Sequence, residues 1–297
     1  MNGNTSLLCI IALCLLAAIS ALEVLRWCIY WVLLSASMLL RRSPARLGAC
    51  GRIGARALFS GSFNDKSPLP QPVDEALRGV GQVVFCNSAG SGALILAGLG
   101  VGDPYLAAMA AVGATSATAA AKLGGLDASS GLCGYNGTLV GCAFAVFLGT
   151  SAPVTLAATV AGAAATPFVS RAIAPLCGSA PQFTLAFNAV ALSALALVRP
   201  LAAKTAEASP DVVAAAATGV TDLLLAPLTG VGQIFLVESP LSGALLLGAI
   251  GVYSPMCALA TLSGSSIGAA VGAIVDAPAA DIAAGLWGYN PVSPHVE

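Results

Sequence analysis

Apolar residues in this chain gather in long blocks, and polar residues gather in the breaks between them. Leu7 to Leu22 is almost purely apolar, Glu23 and Arg26 interrupt it, and Trp27 to Leu40 resumes it. A polar, Pro-rich stretch, Ser60 to Pro72, then separates this leader from the main body. Beyond it the blocks are Ala93–Ala121, Leu139–Ala165, Phe183–Val198, Val212–Ala226 and Ala244–Ile274, all rich in alanine and glycine. The few charges fall in the breaks: Asp103, Lys122 with Asp127, Arg171, the run Arg199 to Asp211, then Asp276 and Asp281. Small residues spaced like Gly98/Gly102 and Gly268/Gly272 suit helices packed closely in lipid. The pattern predicts membrane helices that touch one another more than they touch lipid.

Composition narrows the class. The 297 residues are 58% hydrophobic and 8% charged, with a mean hydropathy of +0.90, against roughly 25% charged residues in soluble domains. A polytopic membrane protein is the class that remains. Net charge is -1, and Arg26, Arg41, Arg42, Arg46, Arg52 and Arg56 hold half of the basic charge, so the body offers no basic surface to nucleic acid. The single histidine, His295, is the third residue from the end of the sequence's tail PVSPHVE, which leaves little room for imidazole catalysis or His-ligated metals. The nine cysteines form no C-x-x-C pair and lie mostly in apolar stretches, so they read as small core hydrophobes.

Two readings fit residues 1–68. An apolar run followed by five arginines between Arg41 and Arg56 suits a signal-anchor or hairpin with its basic side cytoplasmic. A removable signal followed by an organelle transit segment suits it equally. The remaining divisions are a first repeat at 69–200, a linker and helix at 201–227, and a second repeat at 228–297.

The chain repeats itself. LRGVGQVVFCNSAGSGALILAGLGVGDP from Leu77 matches LTGVGQIFLVESPLSGALLLGAIGVYSP from Leu228 without a gap. Alanine richness does not align so many Gly, Gln, Ser and Pro positions, among them Gln82/Gln233, Ser91/Ser242 and Pro104/Pro255. The match resumes at Gly131–Asn136 (GLCGYN) against Gly285–Asn290 (GLWGYN). In membrane transporters, short Gly-interrupted segments at matching places in two halves mark the site near the midplane. Gly98-x-Gly100-x-Gly102 lacks the strand–turn–helix setting of a nucleotide loop and reads as packing.

The implied path is uncharged, built of glutamine, asparagine, tyrosine, threonine and backbone groups, which favours a neutral hydrogen-bonding solute over an ion. Blander readings stand beside it. Gln82 and Gln233 also suit interhelical bonding, and Phe85 alone suits a core. Asn136-Gly137-Thr138 has the form of a glycosylation sequon but falls in the predicted membrane interior. Glu238, which matches Asn87, reads as an exposed helix-end acid rather than a proton relay.

The ordered set LRGVGQVVF, GLCGYNGTLVG, ATPF, PQFTLAFN, GVGQIF and GLWGYN, across about residues 69 to 290, resembles the urea transporters. The resemblance implies an all-α fold of two inverted repeats with broken helices around a central pore, three protomers in a trimer, and facilitated diffusion of urea. It implies no cofactor. It places Gln82 and Gln233 at the two mouths of a filter, Phe85 and its repeat counterpart Leu236 beside the planar solute, Tyr135 and Tyr289 on the opposite walls, and Thr184 at the centre. Flat walls and a line of acceptor oxygens suit a planar solute with NH2 groups and leave an ion without compensation for its lost hydration.

Seven residues, PVSPHVE, follow Asn290, so the counterpart of Thr184 would fall beyond Glu297. The second repeat therefore reads as incomplete, from truncation, mis-splicing or a gene-model error. Three other functions compete. A membrane enzyme needs a clustered acid, base or metal set, and none is apparent in the sequence. A channel for ammonia or short amides shares the neutral path. A non-transporting subunit would assemble with a full-length paralogue. The integral membrane setting points first to the plasma membrane, or to an organelle membrane if the leader is a targeting segment.

Overall fold

The structure, a computed structural model, describes residues 67–148, 152–178, 181–205 and 219–289, all within the compact unit Ile53–Glu297. Residues 1–66, residues 206–218 of the 201–227 linker, Asn290 and the tail with His295 lie outside the described residues.

The described residues are helical, without a strand among them. The helices are α1 Gln71–Gln82, α2 Ala89–Gly102, α3 Pro104–Leu123, α4 Tyr135–Phe147 and α5 Ala152–Cys177. They continue with α6 Leu185–Thr205, α7 Val220–Gln233, α8 Pro240–Tyr253, α9 Pro255–Ile274 and the short α10 Ala279–Ala283. Among them α3, α9 and Pro153–Cys177 of α5 are long and apolar enough to cross a membrane. The 14 residues of α2 reach about 21 Å, short of a hydrocarbon core about 30 Å thick.

Two expected blocks break, one at the charge Asp103 and one where no charge marks it. Ala93–Ala121 splits at Asp103-Pro104, and Ala244–Ile274 splits at Ser254-Pro255. The cause is the same in both. Asp103 Oδ1 accepts from Leu106 N at 2.9 Å, and Ser254 Oγ accepts from Cys257 N at 3.3 Å. Each caps a new helix, and the proline that follows suits a first helical position, where no N–H is needed. Leu139–Ala165 likewise divides between α4 and α5.

The two halves repeat in backbone as well as in sequence. α1 and α7 each end on the glutamine of GVGQ, and each is followed by a tight turn whose third residue has a positive φ, 60° at Phe85 and 62° at Leu236. The turns close alike, Cys86 N on Gly81 O at 3.0 Å and Val237 N on Gly232 O at 3.2 Å. Ser88 and Ser239 then cap α2 and α8, each through a 3.2 Å bond from the backbone N–H three residues on. After α3 and α9 the chain turns at positive φ again, 72° at Gly125 and 54° at Asp276, and once more at Gly131 (76°) and Gly285 (78°).

Glycine sets how closely these elements approach. A Cβ on Gly92 would stand 1.9 Å from Leu77 O, and one on Gly243 would stand 1.8 Å from Leu228 O, so α2 lies on α1 and α8 on α7 backbone to backbone. The halves meet through α2 and α8: Ser91 Oγ donates to Ala249 O at 3.2 Å, and Gly98 admits Leu245 and Leu246. The core between them joins Val80, Ile95 and Leu99 to Val231, Phe235, Leu246 and Ile250. A second core, with Phe144 fully buried, joins α3, α4, α5 and α6.

The ATPF motif has a local explanation. Pro167 inside α5 has no N–H for the carbonyl of Ala163, and the Thr166 hydroxyl donates to that carbonyl instead, at 2.8 Å. The cysteines described as buried, Cys86, Cys142 and Cys257, behave as core hydrophobes, while Cys133 and Cys177 are half-buried.

Candidate functional site

Gln82 and Gln233 occupy the same structural position in the two halves. Gln82 Nε2 donates to Ser130 O at 2.8 Å, and Gln233 Nε2 donates to Ala284 O at 2.7 Å. A carbonyl only accepts, so each amide must turn its nitrogen to the backbone, which leaves its Oε1 directed elsewhere as an acceptor. Both carbonyls belong to the residue just before the glycine of a GLxGYN segment, Gly131 or Gly285. Those glycines need their positive φ, and a Cβ on either would come within 2.5 Å of the α1 or α7 backbone. The GVGQ and GLxGYN motifs are therefore one packed unit in each half. Gly79 against Gly134, and Gly230 against Gly288, make the matching close contacts.

In the first half this unit extends to α6. Tyr135, the first residue of α4, donates its hydroxyl to Phe183 O, and Asn136 Oδ1 accepts from Phe187 N at 3.3 Å. Gln182 Oε1 accepts from Ser170 Oγ of α5 at 2.9 Å. Thr184 thus sits half-buried in a segment pinned on both sides, with its carbonyl accepting the Asn188 N–H at 2.9 Å.

The wall residues differ between halves. Phe85 is 39% exposed, whereas Leu236 is half-buried and packs against the core of α3 to α6 as well as the core between the halves. Tyr289 is also 39% exposed. The structure therefore joins Gln82, Tyr135 and Thr184 through GLCGYN and QFTLAFN, and joins Gln233 to the second GLxGYN segment. Asn290, which follows Tyr289, is outside the described residues. Glu238 is exposed just before the cap of α8, as expected of a helix-end acid.

Among the described residues, the ion pairs lie in the first half. Arg78, one turn before Gln82, pairs with Asp74 at 2.6 Å, and Lys122 pairs with Glu75 at 2.8 Å. Asp74, Glu75 and Arg78 border a cavity of about 350 Å³ that also touches Asn87, Ser129 and Ser130. Nearby, the Ser129 backbone and side chain hydrogen-bond to Asp127 and hold its carboxyl below the usual range. The corresponding second-half positions are Leu225, Ala226 and Thr229, which carry no charge. Sequence reasoning missed the carbonyls of Ser130, Ala284 and Phe183. The repeat contained the signal for two of them, since Ser130 and Ala284 precede matched glycines.

A helical membrane protein of two matched halves, each presenting an oriented amide beside a Gly-rich broken segment, belongs to the transporter class rather than to the enzymes. The family model for urea transporters matches residues 73–292. Urea transporter 1 of Ovis aries and of Capra hircus are each 36% identical over 269 residues, covering 84% of this chain and 68% of theirs. Urea transporter 1 of Rattus norvegicus is 36% identical over 250 residues, 78% of this chain and 64% of its own. The chain belongs to the urea transporter family.

Proposed function

We propose that this chain carries urea across a membrane by facilitated diffusion, down its gradient and without a cofactor. The observation that supports it best is the paired orientation of Gln82 and Gln233, whose nitrogens are both committed to backbone carbonyls. Each Oε1 then accepts from a solute N–H at one mouth of the path. Phe85 serves as a flat wall and Leu236 as its aliphatic counterpart, with Tyr135 and Tyr289 opposite them, and Thr184 offers a hydroxyl at the centre. Urea is planar and rich in N–H donors, so a slot with acceptor oxygens replaces its hydration, while an ion gains too little to leave water. The two halves run inverted around this path, the working form is a homotrimer, and the membrane is the plasma membrane.

The test is labelled-urea uptake in cells expressing the chain, with Gln82→Ala and Gln233→Ala at matched surface levels. Uptake that falls in both variants supports the reading. Uptake unchanged in both removes the glutamines from the path.

A further inference from the structure

We propose that Arg78 is a positioning residue that fixes the width of the first mouth, and so decides the size of amide that passes; the inference rests on the transport reading above. The Arg78 side chain is 7% exposed. Its Nε donates to Asp74 Oδ2 at 2.6 Å, and its Nη1 donates to both Asn87 O at 3.2 Å and Asn87 Oδ1 at 3.0 Å. Asn87 lies two residues beyond Phe85 and immediately before Ser88, the cap of α2. The guanidinium therefore straps the far end of the Phe85 turn back to α1. On its other side, a Cβ on Gly131 would stand 2.7 Å from Arg78 Cβ, so the stem of Arg78 backs the GLCGYN segment that carries Tyr135. Arg78 touches the supports of both walls of the slot.

The second half shows what the turn needs on its own. There the equivalent of Arg78 is Thr229, whose hydroxyl donates to Leu225 O at 3.3 Å, and the equivalent of Asn87 is the exposed Glu238. The turn nevertheless reaches the same conformation, with φ 62° at Leu236 against 60° at Phe85. Leu236 packs against two apolar cores, and Phe85 is 39% exposed. Burying a guanidinium is unfavourable unless its partners are well placed. The first half thus closes its turn with the polar Arg78–Asn87 bonds, and the second half packs Leu236 against two apolar cores.

Lysine keeps the charge of arginine but lacks the planar fork, so it serves Asp74 or Asn87 and not both. The experiment compares the full chain with Arg78→Lys in proteoliposomes, measuring urea and N-methylurea flux side by side. The permeability ratio of urea to N-methylurea is expected to fall about threefold or more, because a wall displaced by a fraction of an ångström admits the larger solute. Cys86, next to Phe85 and 1% exposed, is expected to gain reactivity toward a maleimide, mapped by mass spectrometry, while Cys142 at 0% stays protected. Asn87→Ala, which removes one acceptor and leaves the Arg78–Asp74 pair, is expected to move both readouts in the same direction, and it decides the matter if Arg78→Lys does not fold. A wild-type ratio together with a protected Cys86 overturns the proposal. Wild-type chain without urea flux refutes the transport reading instead, and the size-selection claim with it.

Discussion

At the scale of single residues, the central feature is an amide held by its nitrogen. Gln82→Ala and Gln233→Ala each remove one acceptor and orphan one carbonyl, Ser130 O or Ala284 O. A hydrogen bond is worth about 1 kcal/mol net, so each variant is expected to lower urea permeability about fivefold, read by stopped-flow at equal protein-to-lipid ratio. Thr184→Val, nearly isosteric, is expected to slow transit by removing the central hydroxyl; unaltered transit returns Thr184 to helix packing. The glutamines were legible in the sequence because the repeat singles them out. Their carbonyl partners were not, because a backbone acceptor carries no residue identity and is found only once α1 lies against the GLxGYN segment. The asymmetry of the walls was half legible: Phe85 against Leu236 is visible in the alignment, but the exposure of one and the packing of the other are properties of the fold.

Among the elements, helix contacts through glycine determine how near the two walls come. Gly243→Ala would drive a Cβ to within 1.8 Å of Leu228 O, while Gly248 on the same helix has nothing within 4 Å of its Cβ position. Overpacking of this kind costs about 1–3 kcal/mol or more, whereas alanine at an open helical site gains up to about 1 kcal/mol in propensity. Gly243→Ala is therefore expected to lower the detergent melting temperature clearly, and Gly248→Ala to leave it unchanged or raise it; equal effects would count against the α7–α8 contact. Ser254→Ala, which removes a cap bond, is expected to cost about 1 kcal/mol. Small-residue spacing predicted close packing correctly at Gly98, which admits Leu245 and Leu246. The charge at Asp103 marked one break, whereas hydropathy missed the break at Ser254, because a cap followed by proline interrupts a helix without lowering its apolar average.

For the whole molecule, the repeat is what makes two short Gly-rich motifs into one path. Each half supplies the same turn, cap and amide, while among the described residues the ion pairs of Arg78 with Asp74 and of Lys122 with Glu75 occur on the first half only. None of the proposed solute contacts is a carboxylate, imidazole or amine, so none titrates in the range of about pH 6 to 8. Urea flux is expected to stay level across that range, and a sigmoidal dependence would place a titrating group in the path. The family was legible at this scale because its motifs occur in order over most of the chain, and the family match over residues 73–292 agrees. The measurement that bears most directly on the account is stopped-flow light scattering of proteoliposomes holding this 297-residue chain alone, exposed to an inward urea gradient. The account predicts reswelling faster than in protein-free vesicles, and slower again in the Gln82→Ala, Gln233→Ala double variant. Reswelling at the protein-free rate, with the chain inserted and helical by circular dichroism, would contradict it.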